Sequence, residues 1–121
     1  MKPTQHILRL LLAAVLAAGL CACRPATTFA DRYPISEILD AASMDIPAEG
    51  QYNIDGTAVL AIVNQAVPSN AGFKPTTMVS LFDSNAQSYV LYFSRDRRYF
   101  MLNDDTYRLT RRQAKRIDKL I

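Results

Sequence analysis

The residue types able to do nucleophilic or metal chemistry are crowded into one end of this 121-residue chain. Both cysteines, Cys21 and Cys23, and the single histidine, His6, lie within the first 23 residues. From Arg24 onward there is no thiol, imidazole or indole. Such a segment cannot build Cys–His or Ser–His–Asp catalysis, nor a zinc site of the His/Cys kind. Paired carboxylates remain, because two acids can cleave a glycosidic bond, and Asp104-Asp105 is the conspicuous pair. Neighbours in a tight turn point apart, however, and turn aspartates commonly serve local hydrogen bonds. The four glycines, Gly19, Gly50, Gly56 and Gly72, are too scattered for a phosphate-cradling loop. The expectation is a non-catalytic chain with no cofactor and no metal.

The start of the chain has the layout of a secretory signal peptide. Lys2 and Arg9 precede an apolar run from Leu10 to Gly19, which leads into Leu20-Cys21-Ala22-Cys23. From Leu10 to Cys23 the run is 14 residues, short of the roughly 20 a helix needs to cross the hydrocarbon core. Leu20-Cys21-Ala22-Cys23 resembles the lipobox of bacterial lipoproteins, with Cys21 standing where a small non-thiol residue is usual. That resemblance implies cleavage before Cys23, lipid on Cys23, and membrane attachment through this lipid. Arg24 follows, where an aspartate would retain an enterobacterial lipoprotein at the inner membrane, so the resemblance implies outer-membrane sorting with the domain facing the periplasm. A rival is ordinary cleavage after Thr28-Phe29-Ala30, ten residues past the apolar core with Pro25 between.

Removing the first 22 of the 121 residues leaves 99, enough for one compact domain and too few for two. This remainder holds 12 basic against 11 acidic residues. Its charge is segregated. Residues 24–94 carry three basic and seven acidic residues, whereas residues 95–121 carry nine basic residues against Asp96, Asp104, Asp105 and Asp118. Such asymmetry marks an interaction end or lets two halves of one domain attract. With both cysteines at the processing site, stability must come from packing without a disulfide.

The elements that must position any binding residues follow from periodicity. Residues 23–33 show none and read as a lipidated tether, leaving 34–121 as the domain. Ile35, Ile38, Leu39 and Ala42 fall at helical spacing behind Pro34, predicting a short helix over 34–44. Gln51–Ile54 suits a short strand. Asp55-Gly56 leads into an apolar run to Val67; it reads either as a hairpin turn or, as the alanines and adjacent Asn64-Gln65 favour, as the cap of a buried helix. Residues 68–75 read as a loop. Thr77–Phe82, Tyr89–Ser94, Arg98–Leu102 and Thr106–Leu109 are β-rich and separated by turn residues, which predicts an antiparallel meander of three to four strands. Thr110-Arg111-Arg112-Gln113 is a capping box opening a terminal helix over 111–121. The expected fold is a small single α+β domain with one or two N-terminal helices, the meander and the C-terminal helix. This layout is similar to small envelope lipoproteins of the outer-membrane assembly type, without their glycine-containing helix motif.

Two groups of side chains could bind a partner. Tyrosines and phenylalanines of the meander put apolar groups on both sheet faces, since Tyr89, Leu91 and Phe93 alternate with Val90 and Tyr92. Either helices cover both faces, or the tyrosines close the core edge with their hydroxyls in water, or helices cover one face and the other docks a protein. The second group is cationic: Arg95, Arg97 and Arg98 at a turn, and Arg108, Arg111, Arg112, Lys115, Arg116 and Lys119 toward the terminus. It reads as a solvated surface or as an anion-binding patch. The partner-binding candidates are Arg97, Arg98, Tyr99, Tyr92, Arg111 and Arg112. The leading expectation is an outer-membrane-anchored, non-catalytic adaptor that binds an envelope protein. The alternatives are an inhibitor or immunity-type lipoprotein that blocks an enzyme, and a binder of anionic lipid, lipopolysaccharide or cell-wall polymer. Nucleic acid is not an expected partner in the envelope.

Overall fold

In the computed structural model, residues 27–47 and 50–121 are described. The expected signal peptide over residues 1–22 and the lipidation residue Cys23 lie outside them. The domain is α+β, as expected, and its framework is one antiparallel sheet of seven strands in the order β2-β1-β4-β5-β6-β7-β3. The strands are β1 (Ile38–Asp45), β2 (Gln51–Asn53), β3 (Val67–Ser69), β4 (Thr77–Asp83), β5 (Ser88–Phe93), β6 (Tyr99–Leu102) and β7 (Asp105–Arg108). Three helices accompany them: α1 (Phe29–Arg32), α2 (Gly56–Val63) and α3 (Arg111–Leu120).

The meander forms where alternation and turn residues put it. Along β4, buried Thr77, Val79, Leu81 and Asp83 alternate with Met78, Ser80 and Phe82. The β6–β7 hairpin closes through Asn103 and Asp104, both at positive φ (50° and 69°), the backbone of a two-residue type I′ turn. The β4–β5 hairpin is held by one carboxylate. Asp83 Oδ1 accepts from Asn85 N and Gln87 N, each at 3.0 Å, and Oδ2 accepts from Ser36 N at 3.4 Å. Burial pushes this carboxyl up, but the bonds from Gln87, Ser36 and Asn85 outweigh burial and hold it below the usual aspartate range.

Two helices obey local rules. Asp55 caps α2, its Oδ1 accepting from Ala58 N at 3.0 Å. The capping box of α3 is closed: Gln113 N donates to Thr110 Oγ1 at 3.1 Å, and Thr110 N donates to Gln113 Oε1 at 2.9 Å. The helix favoured for the run after Asp55 is therefore present, ending at Val63.

Three elements differ from the expectations drawn from sequence. Residues 38–45 are not helical. They form β1, which pairs with β4 from Ile38↔Asp83 to Asp45↔Thr77 with a bulge at Leu39. Leu39, which completed the helical spacing, is left 63% exposed, and the buried residues are instead Ala41 and Ser43, two apart. The free edge of β4 offers a full ladder of hydrogen bonds, and tertiary pairing of that kind overrides a weak helical pattern. Small residues suit this strand because α2 lies almost on it: a Cβ on Gly56 would sit 2.6 Å from Ala41 Cβ and 2.5 Å from Ile38 Cγ2. Residues 67–69, expected partly as loop, form β3 against β7 and carry the sheet to seven strands.

The third difference concerns the tether. Residues 29–32 make a helical turn, and Phe29 is fully buried. Its ring lies 5.3 Å from Phe100 and 5.1 Å from Tyr107, centroid to centroid, edge-on to both. Asp31 Oδ2 accepts from Thr28 N and Thr28 Oγ1 at 3.0 and 3.1 Å. Tyr33 Oη donates to Asp105 Oδ2 at 2.6 Å, and Arg32 pairs with the same carboxylate at 3.2 Å. Burial, then the bond to Asp105, raises the Tyr33 phenol above its ordinary range. This segment is thus part of the core, tied down by a phenylalanine that a short unpatterned sequence does not advertise.

Phe29→Ala is expected to lower stability by about 3 kcal/mol in urea titration, because it empties a fully enclosed aromatic site. Asp83 sets a pH dependence. A carboxyl depressed in the folded state contributes stability above its unfolded value of about 3.9 that is lost as pH falls through the folded value. Asp83→Asn should therefore flatten the fall of the urea midpoint with acidification below about pH 4, while leaving a lower midpoint at neutral pH.

Candidate functional site

Among the described residues, the helices pack on one face of the sheet. Ala41, Val79, Leu81, Leu91, Phe93 and Phe100 meet buried residues of α1, α2 and α3, namely Phe29, Val59, Ile62, Val63 and Ile117, in one core cluster. Among the described residues no helix contributes to the opposite face. Tyr89 and Tyr107 join the core side, while Tyr92 and Tyr99 lie on the other.

The register then assembles a row that no single segment displays. Met44 pairs with Met78, Met78 with Tyr92, and Tyr92 with Met101. Cross-strand partners have Cβ atoms about 5 Å apart on one face, so these four side chains run side by side across β1, β4, β5 and β6. Every methionine after Met1 is in this row. All four residues are half-buried, with Phe82 on the same face and 44% exposed. Thioethers on flexible stems reshape to fit an apolar partner, with tyrosine a rigid centre. Tyr99, two residues before Met101, is stacked on Phe73 at 6.1 Å, which fixes its ring at the margin of this face.

A second surface lies on the helix side. The turn 94–98 and the α3 face bearing Arg111, Ala114, Lys115, Asp118 and Lys119 enclose an open groove of about 490 Å³, with Arg95, Asp96 and Arg98 along the turn side. The turn is internally locked. Ser94 Oγ donates to Asp96 Oδ1 at 2.7 Å, Arg98 N donates to the same oxygen at 3.0 Å, and Tyr99 N donates to Ser94 Oγ at 3.2 Å. The Ser94 hydroxyl and then the Arg98 amide hold the Asp96 carboxyl below the usual aspartate range. Arg98 Nε donates to Leu109 O at 3.0 Å, fixing its stem.

Arg97 couples the two walls. Its φ is +63°, its side chain is only 14% exposed, and Nε pairs with Asp118 Oδ1 at 3.0 Å. Its Nη1 donates to Thr77 Oγ1 at 2.7 Å and, more loosely, to Ser94 O at 3.4 Å. This guanidinium is engaged within the domain, which tells against its expected place in a partner-binding set. The six candidates read from sequence therefore divide. Tyr92 sits in the methionine row and Tyr99 at its margin. Arg98 and Arg111 line the groove on the other side of the sheet. Arg97 ties the turn to α3, and Arg112 is exposed outside the groove. The contiguous triplet Arg97-Arg98-Tyr99 is split three ways by strand alternation and the left-handed turn.

Sequence reasoning missed Met44, Met78 and Met101. Their only local signal was an apolar residue at an alternate strand position; the row exists through register across four strands. Arg95, Lys115 and Lys119 were visible as charge, but their convergence on Arg98 and Arg111 needed the packing of α3 against the turn.

Among the described residues no group of three or more His, Cys, Asp or Glu could hold a metal ion, and no helix is long and apolar enough to cross a membrane. No protein-family model, curated protein or solved structure matches the chain.

Arg97→Ala is expected to destabilise the fold by roughly 1 kcal/mol in chemical denaturation, since it removes the bond to the buried Thr77 hydroxyl and the tie between the turn and Asp118. Arg112→Ala, at an exposed position, should stay within about 0.5 kcal/mol.

Proposed function

We propose that this protein is a lipid-anchored, non-catalytic adaptor of the bacterial envelope that docks a partner protein on the open face of its sheet. The observation that carries this reading is the row Met44–Met78–Tyr92–Met101 on a face that no helix of the described residues covers. A soluble domain of this size has every reason to bury four such side chains in its own core. Leaving them together on one face marks an interaction surface. The chemistry suits a partner presenting apolar side chains, with the methionines adjusting around them.

The anchor rests on the sequence, on Leu20-Cys21-Ala22-Cys23 following an apolar run too short to span. The burial of Phe29 adds support by disfavouring the rival processing site. Cleavage after Ala30 would cut the chain within α1 and remove a ring packed against Phe100 and Tyr107. Cleavage before Cys23 leaves this ring in place and five residues, Arg24 to Thr28, between the lipid and α1. So short a link would hold the domain close to the membrane surface.

The test combines mass and proximity. Intact mass of the native protein should give a lipid-modified chain beginning at Cys23, and a photo-crosslinking residue at position 92 should join it to one envelope protein. Tyr92→Glu with Met101→Glu should abolish crosslinking from position 78 while the circular dichroism melt is retained. An unmodified chain beginning at Asp31, or crosslinking indifferent to the two charges, would overturn the proposal.

A further inference from the structure

We propose that the groove between the 94–98 turn and α3 binds a phosphate-bearing anion of more than one negative charge. This site lies on the helix side of the sheet and stands independently of the adaptor reading.

The groove carries an excess of positive charge, five cations against Asp96 and Asp118. Arg95, Arg98, Arg111, Lys115 and Lys119 line it, and among the described residues none of the five has an ion-pair partner within 4.0 Å; the two ion pairs found there are Arg32–Asp105 and Arg97–Asp118. The two acids of the groove are already engaged, Asp96 by Ser94 and the Arg98 amide, Asp118 by Arg97. Five cations against two carboxylates around one concavity leave a positive potential that concentrates anions there.

The helix itself points the same way. The first turn of α3 holds Arg111 and Arg112 and no acidic residue. Cations at a helix N-terminus oppose the positive end of the dipole and weaken an isolated helix. Here the sequence places them there regardless, and Arg111 faces the groove. An anion bound beside Arg111 eases this conflict by offsetting its charge.

The walls are also built before any ligand arrives. Asp96, Ser94 and Tyr99 lock the turn, Arg97 clips it to Asp118 on α3, and Arg98 is held by the Leu109 carbonyl. The backbone of the turn and the Arg98 guanidinium are thus fixed in advance and lose little entropy on binding. At the floor, Ala114 is 3% exposed, and its small side chain allows close approach. From Arg111 to Lys119 the helix rises about 12 Å, long enough for two or more phosphate groups. Cations on both walls favour the tetrahedral phosphate, whose oxygens accept from several directions, over a planar carboxylate. Guanidinium pairs suit it further through bidentate bonds. The phosphate could be that of a lipid headgroup or of a soluble polyphosphate.

The test uses the full chain in neutral detergent micelles, titrated with tripolyphosphate in solution or with cardiolipin, whose headgroup bears two phosphates, doped into the micelles, near physiological salt. Arg111→Gln with Lys115→Gln should weaken binding by roughly tenfold or more, while Arg112→Gln with Arg116→Gln should change it by less than about twofold. Both pairs remove two charges from the exposed surface of one helix, so unaltered thermal melts certify the fold. Tighter binding of tripolyphosphate identifies a soluble phosphate ligand, and tighter binding of the doped lipid identifies a headgroup. Equal losses for the two pairs would mean unspecific attraction and overturn the proposal, as would failure of both probes to bind the unmodified chain.

Discussion

Everything in this domain leans on the contact between Phe29 and the aromatic row beneath it. Phe93, Phe100 and Tyr107 are partners across β5, β6 and β7, with centroid separations of 5.2 and 5.5 Å. Phe29 comes down on two of them from a helical turn outside the sheet. A meander with one apolar face gains stability by packing that face against helices. Adding this ring from one side, and α2 and α3 from the same side, turns it into a core without any disulfide. Because the N-terminal segment contributes the ring, the part of the chain nearest the expected membrane anchor is also a structural member.

The consequence is a strict division of the sheet into two faces. On one, helices bury Val79, Leu81, Leu91 and Phe93. On the other, the same alternation delivers methionines and tyrosines outward in register. Strand periodicity allows no compromise: shifting a strand by one residue would exchange the two sets. The open row is therefore a direct consequence of the core row. What makes it notable is its chemistry, since Ser, Thr or Lys would occupy those positions at no cost to the core.

Charge is organised by the same scaffold. Arg97 spends its guanidinium inside the domain, where it joins Thr77, Ser94 and Asp118. Its neighbours Arg95 and Arg98 are thereby set at the groove opposite Arg111 and Lys115. One arginine of a conspicuous cluster thus positions the others. The distinction between a structural and a presented cation depended on a left-handed residue at position 97, a backbone state that L side chains adopt infrequently and that arginine does not announce.

Much was legible in the residues alone, wherever structure is decided over a few positions. Asp55 as a helix cap, the Thr110–Gln113 capping box, the antiparallel meander and the terminal helix all rest on short-range hydrogen bonds and side-chain period, which are properties of local sequence. The apolar run before Cys23 and its unfit length for spanning are likewise readable without a fold. Tertiary structure decided the rest. Residues 38–45 became a strand because β4 had an edge to fill and Gly56 needed small neighbours beneath it. Residues 67–69 joined the sheet because β7 had an edge as well. Phe29 entered the core although nothing nearby in sequence requires it. The methionine row and the basic groove belong to this second kind, because each gathers residues from segments tens of positions apart. Only strand register and the packing of α3 against the turn bring them together.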